Sequence, residues 1–161
     1  MVTGYVSPGS KLDNITSMAN NEINKLTKKD TVVIWGGAND TAKHESGKGL
    51  THLLKFVELC TNTNVIIVGA PKRHDLSKTS CINEEVDKFN RQLCKIIRVF
   101  EYAKVIDSIT LRECYTKHGL HFNSGGKEQM AHRIIDQFKS LEVTNTPLPP
   151  FPCHGRRCLQ L

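Results

Sequence analysis

The chain has no long hydrophobic run: its apolar stretches last only a few residues, far short of the ~20 needed to cross a bilayer as a helix. A membrane-spanning role is excluded on that ground. Its opening residues, Met1-Val2-Thr3-Gly4-Tyr5, also lack the basic start and apolar stretch of a secretory leader, which predicts a place in the cytoplasm or nucleus. Aromatic residues make up only 6%, with a single tryptophan, and they do not interleave with the basic residues as base-stacking surfaces require. Six cysteines are present, but they lack the paired spacing of a disulfide framework and are expected as free thiols. Cys153, His154 and Cys158 cluster near the end; three soft donors fall short of the four of a closed zinc site, so neither a metal nor a cofactor is expected. No internal repeat is visible.

What remains is an ordinary globular composition. The 161 residues suit one domain, with 39% apolar and 24% charged residues. Lys and Arg number 22 against 16 Asp and Glu, a formal charge of +6. Lys25, Lys28, Lys29, Lys43, Lys48, Lys55, Lys72 and Lys78 are scattered along the chain, the pattern of solvated faces, which ranks nucleic acid low among its partners.

Strand and helix patterns alternate. Residues 2–6 read as a short edge-like strand before the Pro8-Gly9 turn, and Ser10 or Asp13 is expected to cap a helix running to about Lys28. Residues 31–35 and 65–70 are continuous apolar runs, the signature of buried parallel strands. A loop over 43–49 leads to a helix with Leu50, Leu53, Leu54, Val57 and Leu59 inward. After a polar loop at 72–79, Ser80 or Asn83 caps a helix carrying Val86, Phe89, Leu93 and Ile97. Residues 102–106 form the final strand, and a long loop leads to a last helix with Met130, Ile134, Ile135, Phe138 and Leu141 on its apolar face, capped by Asn123. The alternation predicts an α/β fold of three layers around a mostly parallel sheet. The domain is expected over 1–141, and the proline-rich segment 142–161 as a disordered tail that cannot continue the helix.

Two motifs carry chemistry. Trp35-Gly36-Gly37-Ala38-Asn39-Asp40 ends an expected central strand in an amide and a carboxylate, beyond the carboxyl end of the strand where ligands of parallel α/β proteins sit. His118-Gly119-Leu120-His121-Phe122-Asn123 precedes the last helix. Together with Val6-Ser7-Pro8-Gly9-Ser10, these blocks resemble those of the SGNH (GDSL-type) hydrolases, in order and spacing from about Gly4 to about Leu141. The resemblance is to the divergent SGNH-like domains of invertebrate and retroelement-associated proteins. It implies a flavodoxin-like α/β/α fold and an ancestral serine esterase or acetylhydrolase acting on small acyl esters. It also assigns His121 as general base and Gly9 and Asn39 as oxyanion-hole donors, with Gly37 and Asp40 completing the block that holds Asn39.

The chain departs from that pattern twice. No Gly-Asp-Ser occurs anywhere, so the family's nucleophile block, and with it the family's first strand, is expected to be missing from the beginning of the domain. His118 stands where the family carries its triad aspartate, and loss of that carboxylate costs on the order of 10⁴ in rate. Asp40, Asp75 and Asp107 could replace it but read better as caps of turns or helices, while Ser7 and Ser10 read as turn and cap residues, not nucleophiles. The expectation is an inactive hydrolase-like domain; the alternative is a non-catalytic binding module, associated with nucleic acid through its basic surface. A missing first strand would leave strand edges unpaired and open to self-association.

Overall fold

The structure, a computed structural model, describes residues 2–144. The strands β1 (Thr31–Trp35), β2 (Asn64–Val68) and β3 (Ala103–Ile106) form a parallel sheet in the order β1-β2-β3, with Val33 opposite Ile66 and Ile67 opposite Val105. β2 is buried along its whole length, as its unbroken apolar sequence requires. Among the described residues no helix is long and apolar enough to cross a membrane.

Side chains of a strand alternate between faces, and the two faces of β2 build two cores. Val65 and Ile67 join Ile34 beneath α1 (Leu12–Ile23), α3 (Ser46–Leu59) and α4 (Cys81–Ile97), around Leu53, Phe56, Phe89 and Leu93. Ile66 and Val68 face α5 (Ser124–Thr144) and pack with Ile106, Ile109, Tyr115, Met130 and Leu141. The α/β/α layering is thus present but lopsided. α5 alone covers the second face and lies over β2 and β3, so Val33 and Trp35 of β1 stay 42% and 41% exposed.

Several expectations need correction. Residues 2–6 form no strand, and Val2 and Val6 are almost fully exposed. Without a neighbouring strand their backbone has no ladder to join and their side chains no core to enter. β1 accordingly stands at the edge of the sheet, with no strand on its outer side among the described residues. The loop expected at 43–49 is shorter, because α3 begins at Ser46, and a short helix α2 (Ala38–Ala42) rises directly from the glycine turn after β1. Leu59 and Ile135, expected inward, are 61% and 46% exposed. α5 continues to Thr144, past the expected stop at Leu141; the rest of the proline-rich tail and the Cys153–Cys158 cluster, with the metal question it raises, lie outside the described residues.

The start of α1 is capped from a distance. Ser10 accepts no capping bond, Asp13 Oδ1 accepts only the N–H of its neighbour Asn14, at 2.7 Å from inside the first turn, and the cap position is Lys11, whose side chain makes none. Instead the buried Asp40 carboxylate accepts the Leu12 N–H, with Oδ2 at 3.1 Å and Oδ1 at 3.4 Å. The helix dipole favours an anion there. α4, by contrast, starts as its sequence predicts, with the Ser80 hydroxyl accepting the Asn83 N–H at 3.2 Å.

Candidate functional site

The glycine turn after β1 is held by close packing. Gly37 has φ +95°, and a Cβ there would come within 2.8 Å of the buried Phe89 ring, so only glycine fits without strain. The turn delivers Asn39 to the carboxyl end of β1, where its Nδ2 donates to the Ser10 carbonyl at 2.9 Å. That bond joins the Gly37–Asp40 block to the Gly9 block, residues 29 positions apart. An amide nitrogen carries two N–H groups, so one remains for a further acceptor. Gly9 itself has φ +72° and open space around its Cα. Its neighbours Ser7 and Ser10 bond to each other, Oγ to Oγ at 2.6 Å, which occupies them as turn residues.

Asp40, the other polar residue of the turn, faces inward. Burial raises its carboxyl above the ordinary value, and Gly49 packs so tightly on it that a Cβ would fall 2.6 Å from Oδ1. It is a structural cap. Asp75 is equally occupied, chelated by Arg73 through Nε at 2.7 Å and Nη2 at 2.5 Å. Asp107 is exposed beyond the end of β3, and its backbone carbonyl accepts from Arg133 Nη1 at 3.0 Å.

The histidine block is a pinned loop. Tyr115 and Phe122 form an isolated antiparallel bridge, the His121 carbonyl accepts the Thr116 N–H at 2.7 Å, and the Gly119 carbonyl accepts the His74 N–H at 2.9 Å. Gly119, at φ +75°, leaves no room for a Cβ against the His74 backbone, 2.6 Å away. Asn123 caps α5 as expected, its Oδ1 accepting the Gly126 N–H at 2.9 Å. From β1 the rings of Trp35, Phe122, Tyr115 and His74 form a ladder with successive centroids 5.9, 4.6 and 4.4 Å apart. The ladder places His121, next to Phe122, in a loop tied to the end of β1. The ring contacts hold the loop; aromatic pairs of this kind contribute ~0.5–1.5 kcal/mol each beyond burial.

His118 and His121 are both exposed, and among the described residues neither forms a salt bridge with a carboxylate. No described hydrogen bond links the His121 imidazole to Asn39 or to the Gly9 block. Asn39 and the Gly9 block are therefore joined directly, while His121 is related to them only through the ladder, and Asp107 stands on the far side of β2 beside α5.

Two features went unseen in the sequence. His74 sits against Tyr115, with Nε2 buried and without a partner; burial is the first cause lowering its pKa and the Arg112 cation the second. Beyond the carboxyl ends of β2 and β3, a concavity of about 920 Å³ opens between α4 and α5, and five basic side chains, Lys72, Lys88, Arg91, Lys95 and Arg133, line it. Lys88, Arg91 and Lys95 recur at three- and four-residue steps on α4, a helical stripe that the alternation of charges along the chain hides. The concavity does not include Asn39 or His121.

No protein-family model and no curated protein sequence matches the chain significantly. Solved structures do. An acetylxylan esterase of Geobacillus stearothermophilus aligns with 81% of this chain and 68% of its own at TM-score 0.65 and 13% identity. An alpha/beta hydrolase from the metagenome of Lake Arreo, Spain, aligns with 83% of this chain and 70% of its own at TM-score 0.62 and 13% identity. A Streptococcus pneumonia protein whose name links it to platelet activating factor gives 81%, 69%, TM-score 0.65 and 15% identity. At this identity the likeness is one of fold: the α/β/α layering around a parallel sheet is shared with that esterase and that hydrolase.

Proposed function

We propose that the chain is a hydrolase-like domain that keeps the oxyanion-binding half of an SGNH-type esterase site, binds small acyl esters there and does not turn them over. The observation that supports it is the Asn39 Nδ2 bond to the Ser10 carbonyl, which brings the amide beside Gly9 while leaving one N–H unspent. In an ester-cleaving site of this type a serine oxygen attacks the acyl carbon and a histidine takes its proton. Paired N–H donors then hold the negative charge that develops on the carbonyl oxygen, a contribution of ~3–4 kcal/mol per donor. Here the Gly9 N–H and the Asn39 amide would receive that oxygen. His121 would be the base, but the sequence holds no Gly-Asp-Ser to deprotonate, and among the described residues no carboxylate pairs with His121 to fix its tautomer. A carbonyl oxygen can be bound without the acyl carbon being attacked.

The test has two readouts. Hydrolysis of p-nitrophenyl acetate should proceed at the same rate in the parent and in His121→Ala, and an acyl-ester or phosphonate ligand should shift the backbone amide resonances of Gly9 and Asn39. A serine of this chain labelled by a fluorophosphonate would overturn the inactive reading. Amide resonances unmoved at millimolar ligand would overturn the acyl site itself.

A further inference from the structure

We infer that the concavity between α4 and α5 is a binding site for a small polyphosphorylated molecule, separate from the acyl site proposed above. Its five cationic side chains face two carboxylates, Asp87 and Asp107. Asp87 is already spent on Lys72, Oδ2 to Nζ at 2.9 Å, and Lys88 lies 3.9 Å from Glu85. Arg91 and Lys95, one helical turn apart and exposed, form no salt bridge among the described residues, and Arg133 of α5 closes the far side. Three positive charges thus meet in one hollow against the single remaining carboxylate of Asp107, an excess that costs repulsion and is relieved by a multivalent anion.

The floor is rigid. Asn90 clasps the end of β2 with both atoms of its amide, Oδ1 accepting the Ala70 N–H and Nδ2 donating to the Ala70 carbonyl, each at 2.9 Å. A Cβ on Gly69 would lie 2.9 Å from Asn90 Oδ1, so strand end and helix cannot move apart or together freely. Ser108 also lines the hollow and is 7% exposed. The site lies beyond the carboxyl ends of parallel strands, where ligands of such sheets bind. At about 920 Å³ it has the size of a small-molecule site, and among the described residues no aromatic ring lines it as a platform for stacking bases. Those two facts favour a compact polyphosphate over a nucleic-acid strand.

Titration of the full chain with inorganic tripolyphosphate, followed by calorimetry, tests the site, with a single-stranded oligonucleotide as the second arm. Tripolyphosphate should bind, and the double variant Arg91→Gln, Lys95→Gln should weaken it about tenfold or more, the loss of two charge-assisted contacts. Lys28→Gln with Lys29→Gln, on the opposite end of the sheet, should leave it unchanged. All four side chains are exposed and only Lys28 has a ring contact, its Nζ 5.0 Å from the Tyr102 centroid and worth about 0.5–1 kcal/mol, so thermal melts of these variants should stay within a few degrees of the parent. Absence of tripolyphosphate binding, equal losses in both double variants, or an oligonucleotide binding more tightly than tripolyphosphate would each overturn the assignment.

Discussion

Replacing Asp40 by alanine is the sharpest test of how the site region is held. Asp40 is 2% exposed, and its carboxylate is the only described acceptor for the Leu12 N–H at the start of α1. The substitution removes a cap, worth about 1 kcal/mol, and leaves a buried N–H without a partner at about 1–3 kcal/mol. Relief from burying a carboxylate offsets part of this, since burial already raises its pKa. The net expectation is a loss of about 2 kcal/mol, or roughly 4–8 °C in Tm for a chain of this size. Urea denaturation at neutral pH measures it.

A pH series then separates the charge from the bond. With its folded pKa above the ordinary 3.8, the group stabilises the fold fully below that value, and the contribution is lost as pH rises through the folded pKa. Asp40→Asn cannot titrate, so its deficit against the parent should shrink as pH climbs from about 3 to about 7. An alanine variant within about 0.5 kcal/mol of the parent would refute the capping argument, since that is the range of neutral surface changes.

Burial pushes the Tyr115 phenol up to about 12, so its share of stability should be present below pH ~10 and fade as pH rises towards 12, by about 2–3 kcal/mol. Alkaline denaturant melts should show a smaller decline for Tyr115→Phe, and an unchanged decline would count against the phenol. The open edge of β1, with no charge in Thr31–Trp35 and with Val33 and Trp35 exposed, should make the protein associate at high concentration. Val33→Lys should abolish that association in sedimentation velocity, and a parent monomeric at about 100 µM would rule it out.

The parts of the fold legible in the sequence are those whose causes are local. β2 is a run of β-branched residues that only a buried strand satisfies, and the Ser80 and Asn123 caps sit within three residues of the N–H groups they accept. The glycine block after β1 and the loop before α5 were recognisable by the same local chemistry, so Asn39 and His121 could be named as candidates. Their relation could not. Whether Asn39 meets the Gly9 block depends on a bond spanning 29 positions, and whether His121 meets Asn39 depends on how four rings stack.

By itself the sequence placed strands at 31–35, 65–70 and 102–106, within two residues of those observed, most of the helical faces and the absence of a Gly-Asp-Ser, because periodicity and residue identity are properties of neighbours along the chain. Only the tertiary structure decided that residues 2–6 stay outside the sheet, that Asp40 caps α1 across 28 positions, and that Arg133 joins the basic stripe of α4 around one hollow. A strand needs a partner, a remote cap needs a neighbour, and a cluster of like charges needs two helices to converge. Each is a condition on space, and the order of residues leaves it open until the sheet has formed.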